Sequence, residues 1–351
     1  MSPKGFRSFV YRSYQFPTIK KRIQNIIAES RYSLPLAIIA TASVWVVVHS
    51  LFNANSLPLE KSGVVSPFPG KGTEAAFPYE WLGMGFVLAT AFVMVRLNTI
   101  HAIMRTYSRM ISCSFLAISL IALPYFLNPL NAALPLCLSI IFTLLFFSYQ
   151  DKTAVGIVFL TFVVLSIASL IYIKILLLVP ILWIIIATRM MAMSPRVFFA
   201  SLLGIVTPYW FYAAYCLYAD RIDTLTDHVT GIADFTKISD ISTLSLSDIT
   251  IFVIVILLFF LGMTHFILTS HNDKIRTRMI IESFIITDIA LLAFIILQPA
   301  EMECLVPMMA VGVSPLVAHY VTYTSSRLSN LSFLGMILIV VLSTAYHLWT
   351  L

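Results

Sequence analysis

Apolar runs follow one another along almost the whole chain, divided by short polar turns. Most are about 17 to 22 residues long, the length of helix that crosses a hydrocarbon core of roughly 30 Å. The pattern predicts an all-α, polytopic transmembrane helix bundle of about eleven spans. They fall at 34–52, 80–96, 111–127, 131–149, 153–171, 174–188, 197–218, 249–270, 279–298, 304–323 and 331–349. The run from 153 to 188 is nearly unbroken and, at about 1.5 Å per residue, too long for one crossing. It is divided at Tyr172–Lys174.

The polar positions give the bundle a direction. Of the 22 Lys and Arg, only Lys61, Lys71, Lys174, Arg221 and Lys237 lie outside one alternate set of turns and the N-terminal tail. Most acidic residues lie in the other set. Cytoplasmic Lys/Arg bias therefore predicts a cytoplasmic N-terminus and a periplasmic C-terminus. Residues 1–33 read as a basic tail and 34–351 as a single transmembrane domain. Within the tail, Ile19, Ile23, Ile26 and Ile27 recur at helical spacing. This predicts an interfacial helix whose Lys20, Lys21 and Arg22 meet anionic lipid. No short apolar stretch of signal-peptide type occurs in the tail.

Composition narrows the class further. Hydrophobic residues make up 60% and charged residues 11%, with a mean hydropathy of +0.94. Soluble domains carry about a quarter charged residues, so a soluble enzyme is excluded. The net charge of +6 follows from the turn bias and predicts no nucleic-acid partner. The four cysteines show no metal or haem spacing, and no nucleotide, hydrolase or zinc-protease motif is present. No cofactor and no metal are expected. Cys216 and Cys304 fall near the outer ends of their helices, where a disulfide is geometrically conceivable.

Candidate chemistry lies with charges that break the segregation. Asp288 sits about ten residues into a span, and Glu282 about one turn inside its basic end. A carboxylate at depth costs on the order of 3 kcal/mol, so it faces a partner or a wet cavity. His265, His319 and Lys174 are candidate partners for Asp288. Thr287, a serine or backbone groups are the structural alternative. Arg278, one turn away, can pair with Glu282. Outside the spans, Glu60, Glu74, Glu80 and Asp223 are candidate catalytic carboxylates for a polyprenyl-linked sugar glycosyltransferase or polymerase. In the loop 219–248, Ile222, Leu225, Val229, Ile232 and Phe235 form one stripe, and Asp223, Asp227, His228 and Asp234 occupy the other faces. That predicts an amphipathic helix along the outer interface. Tyr209, Trp210, Phe211, Tyr212, Tyr215 and Tyr218 read as an aromatic belt or as a stacking cleft.

Several short motifs are spread along the chain: Arg96-Leu97-Asn98 with Arg105, Tyr172, the stretch from Gly204 to Tyr209 after Arg196, and His271 with Lys274, Ile275, Arg276 and Arg278. Together they resemble an uncharacterised family of polytopic inner-membrane proteins of Bacteroidota. The resemblance spans about residues 90–325. It implies a multispanning fold in a bacterial inner (cytoplasmic) membrane and implies no activity. The sequence leaves three functions open. The first is an accessory or structural component of a cell-envelope pathway, with a membrane-protein partner. The second is the glycosyltransferase. The third is a secondary transporter that uses Asp288.

Overall fold

The computed structural model describes Gln24, Ile27 and residues 30–55, 79–105, 108–233, 244–324 and 326–350. Every regular element among them is a helix. In chain order these are α1 (Ser33–Asn55), α2 (Tyr79–His101), α3 (Met110–Ile121), α4 (Leu123–Leu127), α5 (Pro129–Leu145), α6 (Val155–Ile171) and α7 (Val179–Thr188). There follow α8 (Pro195–Tyr218), α9 (Ile222–Thr230), α10 (Leu246–Thr269), α11 (Ile275–Leu297), α12 (Met302–Tyr323) and α13 (Arg327–Thr350).

Each predicted apolar run is helical, and eight helical stretches are long and apolar enough to cross a membrane. Met110–Ile121, Val155–Ile171 and Ile173–Thr188 are apolar but shorter. Prolines account for two of the shortfalls. Pro124 has no N–H for the Leu120 carbonyl, so the predicted helix 111–127 breaks at Ala122 into α3 and α4. Pro180 likewise offers nothing to Leu176, and the chain enters α7 through a tighter 3-10 turn, Ile173–Leu178.

Burial sorts the helices. In the apolar 18-residue segment of Pro299–Tyr323, which contains α12, 94% of the residues are buried, against 22% in the corresponding segments of α1, α8 and α13. The outer helices turn Leu36, Ile39, Phe199, Leu203, Leu328 and Leu338 outward. An apolar surface of this extent suits lipid and not water. Helix α12 is apolar on every side and is enclosed by α3, α5, α10 and α11. Small residues let neighbours approach it closely. A methyl group at Gly262 of α10 would lie 2.7 Å from Cβ of Leu316, so only glycine permits this helix separation.

The N-terminal segment touches the bundle as well. Gln24 is buried, and its amide Nε2 donates to the Val321 carbonyl at 2.7 Å and to the Thr324 hydroxyl at 2.8 Å. Its Oε1 accepts from the Ser329 hydroxyl at 3.1 Å, and Ile27 packs on the core. At these two residues the predicted interfacial helix therefore meets protein. Lys20, Lys21 and Arg22 lie outside the described residues. All four cysteines are free thiols, so Cys216 and Cys304 form no disulfide. Cys304 instead donates to Asn131 Oδ1 at 3.4 Å.

Candidate functional site

Three polar assemblies lie along α12, one near each end and one between them. The middle one is Asp288. Its carboxyl group is buried on α11, and neither oxygen has a hydrogen-bond partner among the described residues. It rests on the backbone of α12 at Gly312. A methyl group at that position would lie 2.5 Å from Cγ of Asp288 and closer still to both oxygens. Pro315, one turn on, has no amide for the Val311 carbonyl. That oxygen, next to Gly312 in the chain, has no α-helical donor. The site thus joins a buried carboxyl group to a glycine seat on the neighbouring helix.

The side chains proposed as partners of Asp288 are engaged elsewhere. Lys174 Nζ contacts Glu301 Oε1 at 2.5 Å, near the start of α12. Thr287 donates to the Ser283 carbonyl. Glu282 pairs with Arg278 at 3.8 Å, as expected, and also with Arg189 at 2.5 Å across the helix interface. The second contact ties α11 to the end of α7 and leaves Glu282 a structural residue.

His319 and His265 belong to the assembly at the arginine-rich end. His319 Nε2 lies 3.1 Å from Asp273 Oδ2, and its Nδ1 lies 3.4 Å from His265 Nδ1. Asp273 Oδ1 accepts from Arg105 Nε at 2.7 Å and from its Nη2 at 2.5 Å. The Arg105 backbone N–H donates to the Tyr323 hydroxyl, and its guanidinium lies over the Tyr323 ring. Asp273 and His319 are both buried, with side chains only 1% and 2% exposed, while that of Arg105 is 42% exposed. The assembly therefore opens to its surroundings at the arginine.

Local sequence explains how these groups converge. Gly262 precedes His265 by one turn and Leu316 precedes His319 by one turn, so the close approach of α10 and α12 places the two imidazoles side by side. Arg105 is presented by the loop that follows α2. Ala102 ends that helix in the left-handed region at φ 50°. Asn98 then holds the loop, accepting from the Met104 N–H at 3.0 Å and donating to the Ser108 carbonyl at 2.8 Å.

A third assembly lies near the start of α12. Tyr125 donates to Asp248 Oδ1 at 2.9 Å, and Asp248 also completes a capping box with Ser245 at the start of α10. With Lys174–Glu301 and Cys304–Asn131 these contacts tie α4, α5 and α10 to this end of the core.

The remaining predicted residues are not brought together. Glu60 and Glu74 lie outside the described residues, as does the side chain of Glu80, whose backbone falls in the first turn of α2. Asp223 is exposed on α9. Among the described residues no group of three His, Cys, Asp or Glu side chains is placed to hold a metal ion. Trp210, Phe211, Tyr215 and Tyr218 project outward and do not line a stacking cleft. Tyr209 instead shares a 2.8 Å hydrogen bond with Ser169.

The predicted amphipathic helix is α9, with Ile232 in the following turn and Asp234 and Phe235 outside the described residues. His228 anchors it, with Nε2 donating to the Ser169 carbonyl at 3.1 Å and its ring beside Tyr209 and Tyr212. Burial lowers the His228 pKa below the ordinary 6.5, and the hydrogen bond to Ser169 partly opposes this. The docked state therefore binds a proton less readily than an undocked one. Docking is at full strength above the ordinary value and weakens as pH falls through about 6.5. Amides of α9, corrected for intrinsic exchange, should lose protection between about pH 7.5 and about pH 5.5, the interval in which imidazole titrates. His228→Gln should remove that dependence, and equal protection at both pH values in the wild type would show the docking to be insensitive.

Fold and site together define an all-α protein embedded in a membrane, with a protonatable group enclosed at its core. No family model, no curated protein and no solved structure matches this chain.

Proposed function

We propose that this protein is a proton-coupled secondary transporter, with Asp288 as the residue that binds the coupled proton. The observation that carries the reading is the enclosed carboxyl group on Gly312, without a hydrogen-bond partner among the described residues. An ionised carboxyl group in an apolar interior needs a counter-charge. The described cations stand elsewhere, with Lys174 on Glu301 and Arg105 on Asp273. A proton, or a small ion that replaces it, balances this site. Ionisable groups inside membrane helices are repaid by ion pairs, as at Glu282, or mark ion and proton paths, and Asp288 has no such pair among the described residues.

The finer topology belongs to the same proposal. It comprises about eleven crossings, with the arginine-rich end cytoplasmic and the C-terminus periplasmic, in a bacterial inner membrane. The three shorter apolar helices complete that count if each crosses with its flanking turns. The resemblance to Bacteroidota inner-membrane proteins supports the location and is silent on activity. The accessory-component reading draws on the patterned outer loops and on the lack of a substrate-site pattern in the sequence. The glycosyltransferase reading would need Glu60, Glu74, Glu80 or Asp223 in a cleft; Asp223 is exposed, and the side chains of the other three lie outside the described residues.

The test uses the whole protein in lipid vesicles. As pH is stepped, infrared difference spectra should show a carboxyl C=O band that is absent from Asp288→Asn. A pH dye trapped inside should report proton flux at least tenfold slower in that variant. Equal flux in the folded variant and the wild type would overturn the proposal.

A further inference from the structure

The structure assigns a second proton-binding site to this chain: the hydrogen-bonded line His265–His319–Asp273–Arg105 at the arginine-rich end of α12, which relays a proton from the half-buried His265 through the buried His319 to the water at Arg105. The assignment rests on the proton-coupled reading for its purpose, but its geometry is independent of Asp288.

The hydrogen bonds fix which nitrogen carries the proton. Asp273 Oδ2 is an acceptor, so His319 Nε2, 3.1 Å away, is the N–H of that ring. In the neutral imidazole His319 Nδ1 is then bare and accepts, and its neighbour at 3.4 Å, His265 Nδ1, is the donor. This leaves His265 Nε2 as the unprotonated nitrogen of the pair. A proton that binds there allows the Nδ1 proton of His265 to pass to Nδ1 of His319. The Nε2 proton of His319 then passes to Oδ2 of Asp273. One proton enters, one reaches the carboxylate, and every ring is neutral again. Release from Asp273 to water is favoured by Arg105, whose guanidinium holds Oδ1 and stabilises the ionised form. Each ring ends in the opposite tautomer, so a returning proton finds the line set for the reverse passage.

A purely structural reading explains less. The packing histidine His101 also uses both nitrogens, its Nε2–H donating to the Thr143 carbonyl at 3.0 Å and its Nδ1 accepting from Arg276 Nη2 at 3.3 Å, but neither a carbonyl nor an arginine exchanges a proton with it. His319 has both nitrogens on groups that themselves exchange protons. The groups facing it are His265 and Phe266 from α10, Asp273 from the turn after α10, and Tyr323 from its own helix. Arg105 stands behind Asp273. Along α12, His319 follows Gly312 by seven residues, two turns on the same face, and so lies about 10 Å from the seat of Asp288 along the helix axis.

The wild-type protein, labelled with ¹⁵N in its histidine rings and placed in lipid bilayers, tests the relay directly. Ring-nitrogen shifts are followed from about pH 8 to about pH 3, a window that extends well below the ordinary imidazole range. His265 and His319, assigned through His265→Gln and His319→Gln, should move together at one midpoint, because they share one proton. In His265→Gln the His319 midpoint should shift, and proton flux through vesicles containing His319→Gln should fall at least tenfold. Rings that titrate at unrelated midpoints or do not titrate, or a folded His319→Gln with wild-type flux, would overturn the assignment. The two proposals separate cleanly. Silent rings with flux still dependent on Asp288 would remove only the relay, and coupled rings with full flux in Asp288→Asn would remove only the carboxyl.

Discussion

Alanine at position 312 is expected to destabilise the bundle by about 2 kcal/mol, although alanine is the better helix former. Replacing glycine inside a helix gains about 1 kcal/mol when nothing is in the way. Here the new methyl group would meet the Asp288 carboxyl, with Cγ at 2.5 Å. Neither partner can move freely, because α12 is enclosed on all sides and Asp288 is buried. Overpacking of a close-packed core costs about 1 to 3 kcal/mol, and the upper end applies where the obstacle is a buried side chain on a neighbouring helix. The net loss is the difference. The cycle with Asp288→Ala makes the argument sharp. Once the carboxyl is gone, Gly312→Ala should change sign and stabilise by up to about 1 kcal/mol, a coupling of about 3 kcal/mol. Denaturant midpoints in mixed micelles for the wild type, both single variants and the double variant measure this. Strictly additive effects would show that Asp288 does not rest on Gly312.

The helices were legible in the sequence because apolar run length reports directly on a hydrocarbon slab. Their continuity was less so. Pro124 and Pro180 are visible in the sequence, yet membrane helices often carry proline intact. Whether the helix breaks depends on neighbours that can satisfy the freed carbonyl. The isolated carboxylate of Asp288 was equally legible, since its depth follows from counting along one helix. Its seat was not, because Gly312 lies 24 positions further on and a glycine gives no sign of what approaches it. Asp273 stands out little in a turn otherwise filled with His271, Lys274, Arg276 and Arg278. A lone acid among basic residues was the available signal, and its partners Arg105 and His319 come from distant positions. Asn98 and Arg105 share one motif of the sequence. Their physical connection is the loop that Asn98 holds in place.

Replacing Lys174 by methionine is expected to cost about 3 kcal/mol, through the partner it leaves behind. Lys174 Nζ and Glu301 Oε1 meet at 2.5 Å, with side chains 8% and 22% exposed. Losing one member of a buried ion pair costs about 3 to 5 kcal/mol, chiefly because the other charge remains desolvated. Glu301 keeps some exposure, which places the expected loss at the lower end of that range. The position of the pair amplifies the effect. Lys174 belongs to the turn Ile173–Leu178 and Glu301 to the turn Pro299–Glu301, which leads directly into α12. Without the lysine, Glu301 gains by moving toward water and drawing the first turn of α12 with it. Cys304 and its contact with Asn131 lie in that turn. Exchange of the amides at 302–305 should therefore accelerate together with the fall in stability. Lys174→Met combined with Glu301→Gln should recover most of both, because the uncompensated charge is gone. A single variant as stable as the wild type, or a double variant no better than the single, would show that this end of α12 is held by apolar contacts and owes nothing to the pair.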